Sequence, residues 1–183
     1  MDEVHFEKTL SSEVIFQGKV VTLTKDIALL ENGRQAVREV VEHPGGVCVA
    51  ALTDREELLF IRQFRYPYQE AILELPAGKR SPGEDPLECG IRELKEETGA
   101  VAARVEPLGR LYPSPGYTDE IIYLFLATGL SFGDSHPDDD EFLEPERLPL
   151  EEAVRRVMDG ELDDAKTQIA VLKIWERKRQ RKL

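Results

Sequence analysis

Glu93, Glu96 and Glu97 are the residues of this chain whose types and spacing can do chemistry. On a helix turning about 100° per residue they fall within roughly a 100° arc, so three carboxylates converge on one side. Like charges at i,i+3 and i,i+4 repel by about a few tenths of a kcal/mol each unless a cation offsets them. Just upstream, Gly78-Lys79-Arg80-Ser81-Pro82-Gly83-Glu84 supplies a glycine-rich turn whose backbone oxygens can face the same ion. Carboxylate and carbonyl oxygens together are the donors that a hard divalent cation takes, and such a cation supports chemistry on phosphates. An acidic helix face in an acidic chain is ordinarily just solvated; the turn placed directly before it argues for a site.

The helix that positions these groups can be built from the letters. Asp85 is a good N-cap, Pro86 suits the first helical position because its missing N–H would be unpaired there, and Glu88 completes a capping box. Gly99 supplies a left-handed stop. Leu87, Ile91, Leu94 and Thr98 make one stripe that is expected to dock on a sheet, with the glutamates on the opposite side.

Composition sets outer bounds. The 183 residues suffice for one domain with a core and a small appendage. The formal net charge of −12 argues against nucleic-acid binding, which needs clustered Lys and Arg. It also poses a problem for an anionic substrate, which a bound divalent cation would resolve by inverting the local field. The basic run Arg177-Lys178-Arg179-Gln180-Arg181-Lys182 reads as a solvated helix end. No apolar run approaches a membrane span and no signal-peptide pattern opens the chain. Two cysteines without paired spacing point to the reducing cytoplasm. Cys48, in an apolar run, and Cys89, on the helix, read as small buried residues, and His5, His43 and His136 as packing or surface residues.

A composition break near residue 44 divides the chain. Before it, residues 14–16, 19–25, 27–31 and 35–42 read as short strands, with Asn32-Gly33 as a two-residue hairpin turn. A sheet this small cannot bury a core alone. After it, residues 46–52 and 58–64 read as a hairpin about a polar turn, and 72–75 lead into the glycine-rich turn. Strands at 105–111 and 121–127, an acidic loop at 134–141, and helices at 150–159 and 166–178 follow. The predicted domains are therefore 1–44 and 45–183, and the order of elements predicts an α/β layered fold with helices on both faces of a mixed sheet.

The stretch from Gly78 to Ala100 resembles the Nudix box, Gly-x5-Glu-x7-Arg-Glu-U-x-Glu-Glu-x-Gly-U with U aliphatic. It matches at Gly78, Glu84, Arg92, Glu93, Leu94, Glu96, Glu97 and Gly99, while Ala100 is smaller than the usual last residue. The resemblance implies an α/β/α sandwich with a mixed sheet, here carrying a small N-terminal antiparallel sheet, and metal-dependent hydrolysis of a nucleoside diphosphate. Leu111-Tyr112-Pro113-Ser114-Pro115-Gly116-Tyr117 resembles the substrate loop of the ADP-ribose pyrophosphatase subgroup. Ile61 to Pro67, Glu74 to Gly78 and Asp164-Ala165-Lys166-Thr167 are also similar to that subgroup.

Residue by residue, the resemblance assigns Glu93, Glu96, Glu97 and the Ala77 carbonyl to Mg²⁺, or Mn²⁺. It makes Arg92 and Glu84 outer partners that orient the ligands. Glu141 is assigned as the base acting on water, with Asp139 as the alternative. Arg65 would meet the diphosphate, Ser114, Pro115, Gly116 and Glu120 the ribose end, and Glu39 with Arg38 the adenine. Relatives of this layout exchange the N-terminal sheet across a homodimer. GDP-mannose, other nucleotide sugars and dinucleoside polyphosphates stay open as substrates. The reading from another class is a sensor that binds ADP-ribose without turnover; such proteins often lose box glutamates, and this chain keeps every one.

Overall fold

The apolar run Gly46-Val47-Cys48-Val49-Ala50-Ala51 has no polar face, and the fold accordingly buries it on both sides. The computed structural model describes residues 5–137 and 142–180. Three strands come first: β1 (Lys8–Gln17), β2 (Thr22–Leu29) and β3 (Gln35–Glu42), paired antiparallel in that order. Then follow β4 (Gly46–Ala51), β5 (Glu57–Arg65), β6 (Glu70–Glu74), β7 (Ala77–Lys79), α1 (Pro86–Thr98), β8 (Ala100–Leu111), β9 (Ile122–Phe132), β10 (Leu143–Pro149), α2 (Leu150–Met158) and α3 (Ala165–Arg179).

The chain forms two compact units. One comprises residues up to Gly45 together with Tyr112–Ile121, the other Gly46–Leu111 with Ile122–Leu183. In the smaller unit, the 112–121 loop docks on the end of β3. Val41 N–H donates to the Tyr117 carbonyl at 2.7 Å, Thr118 Oγ1 donates to the Val41 carbonyl at 2.8 Å, and His43 N–H donates to Asp119 Oδ1 at 2.8 Å. β1 is an edge strand exposed along its whole length.

The larger unit holds a four-stranded sheet, β7-β4-β9-β8, in which β4 and β9 run parallel and the other neighbours antiparallel, and a three-stranded sheet, β10-β5-β6. β4 alternates strictly. Val47, Val49 and Ala51 face a cluster containing Cys89 and Leu94 of α1, while Cys48 and Ala50 face one containing Ala153 and Val157 of α2 and Ala170, Val171 and Ile174 of α3. A side-chain period of two thus gives one strand two cores. The expected α/β architecture, helices on both faces of a mixed sheet, is what the chain adopts.

Several elements differ from the sequence expectation. The two strands expected at 19–25 and 27–31 are one, β2, because Asp26 inside it is satisfied by Ser12 Oγ at 2.6 Å. Between β2 and β3 the Leu30–Arg34 hydrogen bond encloses three residues, not two. Leu30 N–H donates to the Arg34 carbonyl, closing Glu31-Asn32-Gly33, and only Gly33 takes a positive φ, 78°. That is a turn with a left-handed glycine at its end. β4 and β5 do not continue as a hairpin beyond the Leu52–Leu58 bridge; they enter different sheets, because both edges of β4 are taken by β7 and β9. β10 was not expected at all, since Pro145 and Pro149 argue against a strand; its edge position tolerates them.

The largest correction concerns α1. The Asp85 carboxylate accepts from the Leu87 and Glu88 N–H groups, Pro86 opens the helix, and Gly99 closes it at φ 68°, as read; the reciprocal half of the expected capping box, Glu88 back to the Asp85 N–H, is not formed among the described residues. Its buried face, however, is Cys89, Gly90, Glu93, Leu94 and Glu97. Leu94 is 1% exposed, whereas Ile91 of the expected docking stripe is 47% exposed and Leu87 is exposed with it. Gly90 explains the rotation, because a β-carbon there would lie 3.2 Å from Val49 Cγ2 and 3.3 Å from Phe125 Cδ2. The helix approaches the sheet at its glycine, and that turns two glutamates inward.

Candidate active site

β7 borders the four-stranded sheet by pairing Ala77, Gly78 and Lys79 with Cys48, Val47 and Gly46. The turn after it closes on itself: Ser81 N–H donates to Glu84 Oε2 at 2.8 Å, Glu84 N–H donates to the Ser81 carbonyl at 3.0 Å, and Arg80 Nε donates to the Glu84 carbonyl at 3.1 Å. Gly83 takes φ 79° within it. This turn delivers the chain to Asp85 and the start of α1.

Arg92 organises the acidic groups. Its Nε donates to Glu84 Oε1 at 3.0 Å and Nη2 to Glu84 Oε2 at 3.2 Å, while Nη1 lies 2.9 Å from Glu93 Oε1 and donates to Glu96 Oε2 at 2.8 Å. The hydrogen bonds from Arg92 hold the Glu84 carboxyl down to about 2, helped by the Ser81 N–H. The same contacts, Glu84 first, raise Arg92 above its usual range. Arg92 Nη2 also reaches Cys89 Sγ at 3.5 Å, and burial pushes that thiol up to about 12, which leaves it a neutral packing group.

Two glutamates are turned onto β7. Glu97, 2% exposed, accepts the Ala77 N–H through Oε2 at 3.0 Å. Glu93, 8% exposed, lies against Gly78 so closely that a β-carbon there would fall 1.9 Å from Glu93 Cδ. Glu96 is more open, with its side chain 38% exposed. Among the described residues, no three His, Cys, Asp or Glu side chains stand in a ready-made metal cluster. Arg92 sits among Glu84, Glu93 and Glu96 where a cation would, and Glu97 is engaged with Ala77.

The donor chemistry nevertheless fits a divalent cation. Three carboxylates, Glu84, Glu93 and Glu96, share the Arg92 guanidinium and Glu97 stands beside them on α1, so the group carries excess negative charge. All its side-chain donors are hard oxygens, beside a strand with backbone carbonyls, which suits Mg²⁺ or Mn²⁺ and not a soft metal.

The other expected site residues are distributed as follows. Arg65 makes a bidentate pair with Glu74, Nε to Oε1 at 2.7 Å and Nη2 to Oε2 at 2.8 Å. Arg38 on β3 is likewise engaged by Glu7, at 2.8 and 2.6 Å, and Glu39 beside it pairs in register with Lys25. Ser114, Pro115 and Gly116 form a turn closed by the Ser114 carbonyl, which accepts from Tyr117 and Thr118 N–H at 3.2 Å, and Glu120 lies 3.5 Å from His43 Nδ1. These last residues and Arg38 belong to the smaller unit, Arg65 and the glutamates of α1 to the larger. Glu141 and Asp139 lie outside the described residues.

Sequence reasoning missed a buried charge cluster in the larger unit. Glu74, 1% exposed, takes Arg65 and also Lys166 Nζ, and Lys166 Nζ donates to Asp164 Oδ1 at 2.9 Å. The available signal was a glutamate inside the apolar stretch Ile72-Leu73-Glu74-Leu75, which demands a buried cation.

A family model described as the NUDIX domain matches residues 42–169. The chain belongs to the NUDIX family. This Nudix chain is 43% identical over 167 residues, 90% of each sequence, to a protein of Bacillus subtilis (strain 168) named "ADP-ribose pyrophosphatase". It is 42% identical over 173 residues, 93% of its own length and 94% of the relative's, to the "Methanol dehydrogenase activator" of Bacillus methanolicus. A solved structure titled "Crystal structure of ADP compounds hydrolase" matches with a TM-score of 0.85 over 100% of both chains at 24% identity, which concerns the fold.

Proposed function

We propose that this Nudix hydrolase adds water across the diphosphate of ADP-ribose, giving AMP and ribose 5-phosphate. The observation that carries the reading is Glu93 and Glu97 of α1 packed on Gly78 and Ala77, with the more open Glu96 beside them, in a chain 43% identical to a protein named for this activity. Glu93, Glu96, Glu97 and the Ala77 carbonyl would hold divalent ions, Mg²⁺ first. Such ions would neutralise charge on the bridging and leaving phosphate oxygens.

The chain's own residues supply the rest. Arg92 gathers Glu84, Glu93 and Glu96 on one guanidinium, which fixes the glutamate rotamers in advance. Glu141, or Asp139, is proposed as the base that takes the proton of the attacking water. Arg65, Ser114, Pro115, Gly116, Glu120, Arg38 and Glu39 are proposed to contact the nucleotide sugar. For Arg65 this means using the guanidinium edge turned away from Glu74.

A homodimer belongs to the same reading. It is supported by β1, an exposed edge strand that carries Leu10, Val14, Ile15 and Phe16 into solvent. A cytoplasmic location is proposed from the two cysteines, both free and buried; no helix among the described residues is long and apolar enough to cross a membrane.

The test is a substrate panel of ADP-ribose, ADP-glucose, GDP-mannose and diadenosine polyphosphates with Mg²⁺, scored by phosphate release after coupling to a phosphatase. ADP-ribose is expected to turn over with the highest kcat/KM. Preference for GDP-mannose would move the assignment to another nucleotide-sugar pyrophosphatase. Binding of ADP-ribose with no turnover would favour the sensor reading.

A further inference from the structure

The segment from Glu74 to Ala77 crosses between the two sheets of the larger unit, since β6 lies in one and β7 in the other. A crossover has no strand ladder of its own, and Pro76 within it brings no N–H. Its backbone groups are met from three directions. Leu75 N–H donates to Thr167 Oγ1 at 2.9 Å, the Pro76 carbonyl accepts from Val49 N–H at 2.8 Å, and Ala77 N–H donates to Glu97 Oε2 at 3.0 Å. Thr167 is fully buried in the first turn of α3, and Glu97 lies in the last turn of α1. Helices packed on opposite faces of the sheet therefore grip N–H groups two residues apart on one crossover.

The start of α3 is itself tied to that crossover. The Asp164 carboxylate caps the helix, accepting Thr167 N–H through Oδ2 at 2.9 Å and Lys166 Nζ through Oδ1. Lys166 spans from Asp164 to the buried Glu74 carboxylate, whose other partner is Arg65. Two carboxylates and two cations balance, so the buried Glu74 carboxylate is compensated by Arg65 and Lys166. Glu74 and Leu75 are thereby fastened to Lys166 and Thr167 at consecutive residues on each side.

We propose that Lys166 and Thr167 are positioning residues for the box glutamates: by fixing Glu74 and Leu75 they set Ala77, whose N–H orients Glu97 and whose carbonyl completes the donor set. This rests on the reading of Ala77 and Glu97 as ion ligands given above. Outer partners of metal ligands typically change affinity or activity by about 10–100-fold when removed. If Thr167 merely satisfies a buried N–H, its loss would lower stability and leave ion binding alone.

The experiment titrates Mn²⁺ into full-length protein without nucleotide, reading free Mn²⁺ by electron paramagnetic resonance. It is accompanied by melting in chelator and by steady-state kinetics with ADP-ribose. Thr167→Val, which keeps the shape and removes the acceptor, is expected to weaken Mn²⁺ binding by about tenfold or more and to lower kcat with little change in KM. Thr167→Ser, which restores the hydroxyl, should stay within about twofold of the parent. Parent-like Mn²⁺ affinity in Thr167→Val, with only a lower melting temperature, would overturn the proposal. Should that variant not fold, Lys166→Gln, which leaves Arg65 on Glu74, takes its place; weakened Mn²⁺ binding is expected, and unchanged binding again overturns it. Glu97→Gln separates the two layers of argument. If it loses Mn²⁺ while Thr167→Val does not, the positioning role alone falls; if Glu97→Gln binds Mn²⁺ like the parent, the ligand reading falls and takes this one with it.

Discussion

The Glu93 carboxylate occupies the space in which a side chain at Gly78 would begin. A β-carbon built on Gly78 would lie 1.9 Å from Glu93 Cδ and 2.1 and 2.4 Å from its two oxygens. Gly78 does not have a positive φ, so backbone freedom is not what its position requires. What it requires is the absence of a side chain, so that an acidic group can be laid on the backbone of β7.

Gly78→Ala should therefore separate stability from activity. The atoms in the way are the far end of a flexible side chain, which can swing aside without moving the backbone. The melting temperature should change little, while kcat falls by about a hundredfold, the cost of misplacing a catalytic group by about 1 Å. Melting curves and steady-state rates on one preparation decide it. Near-parental turnover would show that Glu93 need not rest on β7.

Glu97→Gln keeps an oxygen to accept the Ala77 N–H and removes only the charge. The fold should persist, and melting in chelator should hold or rise slightly as repulsion from Glu93 is relieved. Turnover should fall by at least about a hundredfold. Mg²⁺ should raise the melting temperature of the parent more than that of the variant, since an ion that binds only the folded state stabilises it. Equal Mg²⁺ shifts in the two proteins would remove Glu97 from the donor set.

The box helix was legible because its signals are local: Asp85, Pro86 and Gly99 mark its ends by chemistry that neighbours a few residues away complete. Its rotation was not. A helical wheel ranks Leu87 and Ile91 as the docking ridge, but the face is decided by Gly90 meeting Val49 and Phe125, residues brought together only by the sheet. The same holds for Glu74, whose partners Arg65 and Lys166 are 9 and 92 residues away. β10 was hidden by its prolines, which a sequence reading cannot assign to an edge strand without knowing the strand order. The pairing of Arg92 with Glu96 was foreseeable from their i,i+4 spacing; its reach back to Glu84 depends on the turn at Gly83.

The exposed edge of the smaller unit predicts self-association. Val14 and Phe16 on β1 are 60% and 58% exposed, so a lone chain would lose little by their replacement with Asp. In a dimer that buries them, Val14→Asp with Phe16→Asp should shift the molecular mass measured by light scattering from dimer to monomer at micromolar concentration. A parent protein that is fully active as a monomer would dismiss the exchanged sheet.

The base is tested by Glu141→Gln and Asp139→Asn. A carboxylate acting on water and not on the nucleotide should depress kcat much more than KM when lost. Glu141→Gln is expected to give the larger loss, and the reverse order would move the assignment to Asp139. Losses below about tenfold in both would leave activation of the water to a glutamate of α1 or to a bound metal ion.

The Glu84–Arg92 pair predicts a specific acid dependence of stability. Arg92 holds the Glu84 carboxyl at about 2, below its ordinary 4.5, so the folded state favours the ionised form. The sign follows from linkage: this stabilisation is fully present above about pH 4.5 and is lost as pH falls toward 2, where the folded state takes up the proton. Glu84→Gln keeps one oxygen, which can still accept from Ser81 N–H and Arg92 Nη2, but sets an NH₂ opposite Arg92 Nε and cannot ionise. In chelator, the parent should melt above the variant near neutral pH, and the gap should close on acidification through that window. A gap that stays constant down to about pH 2.5 would mean that the pair contributes through shape and hydrogen bonds alone, not through charge.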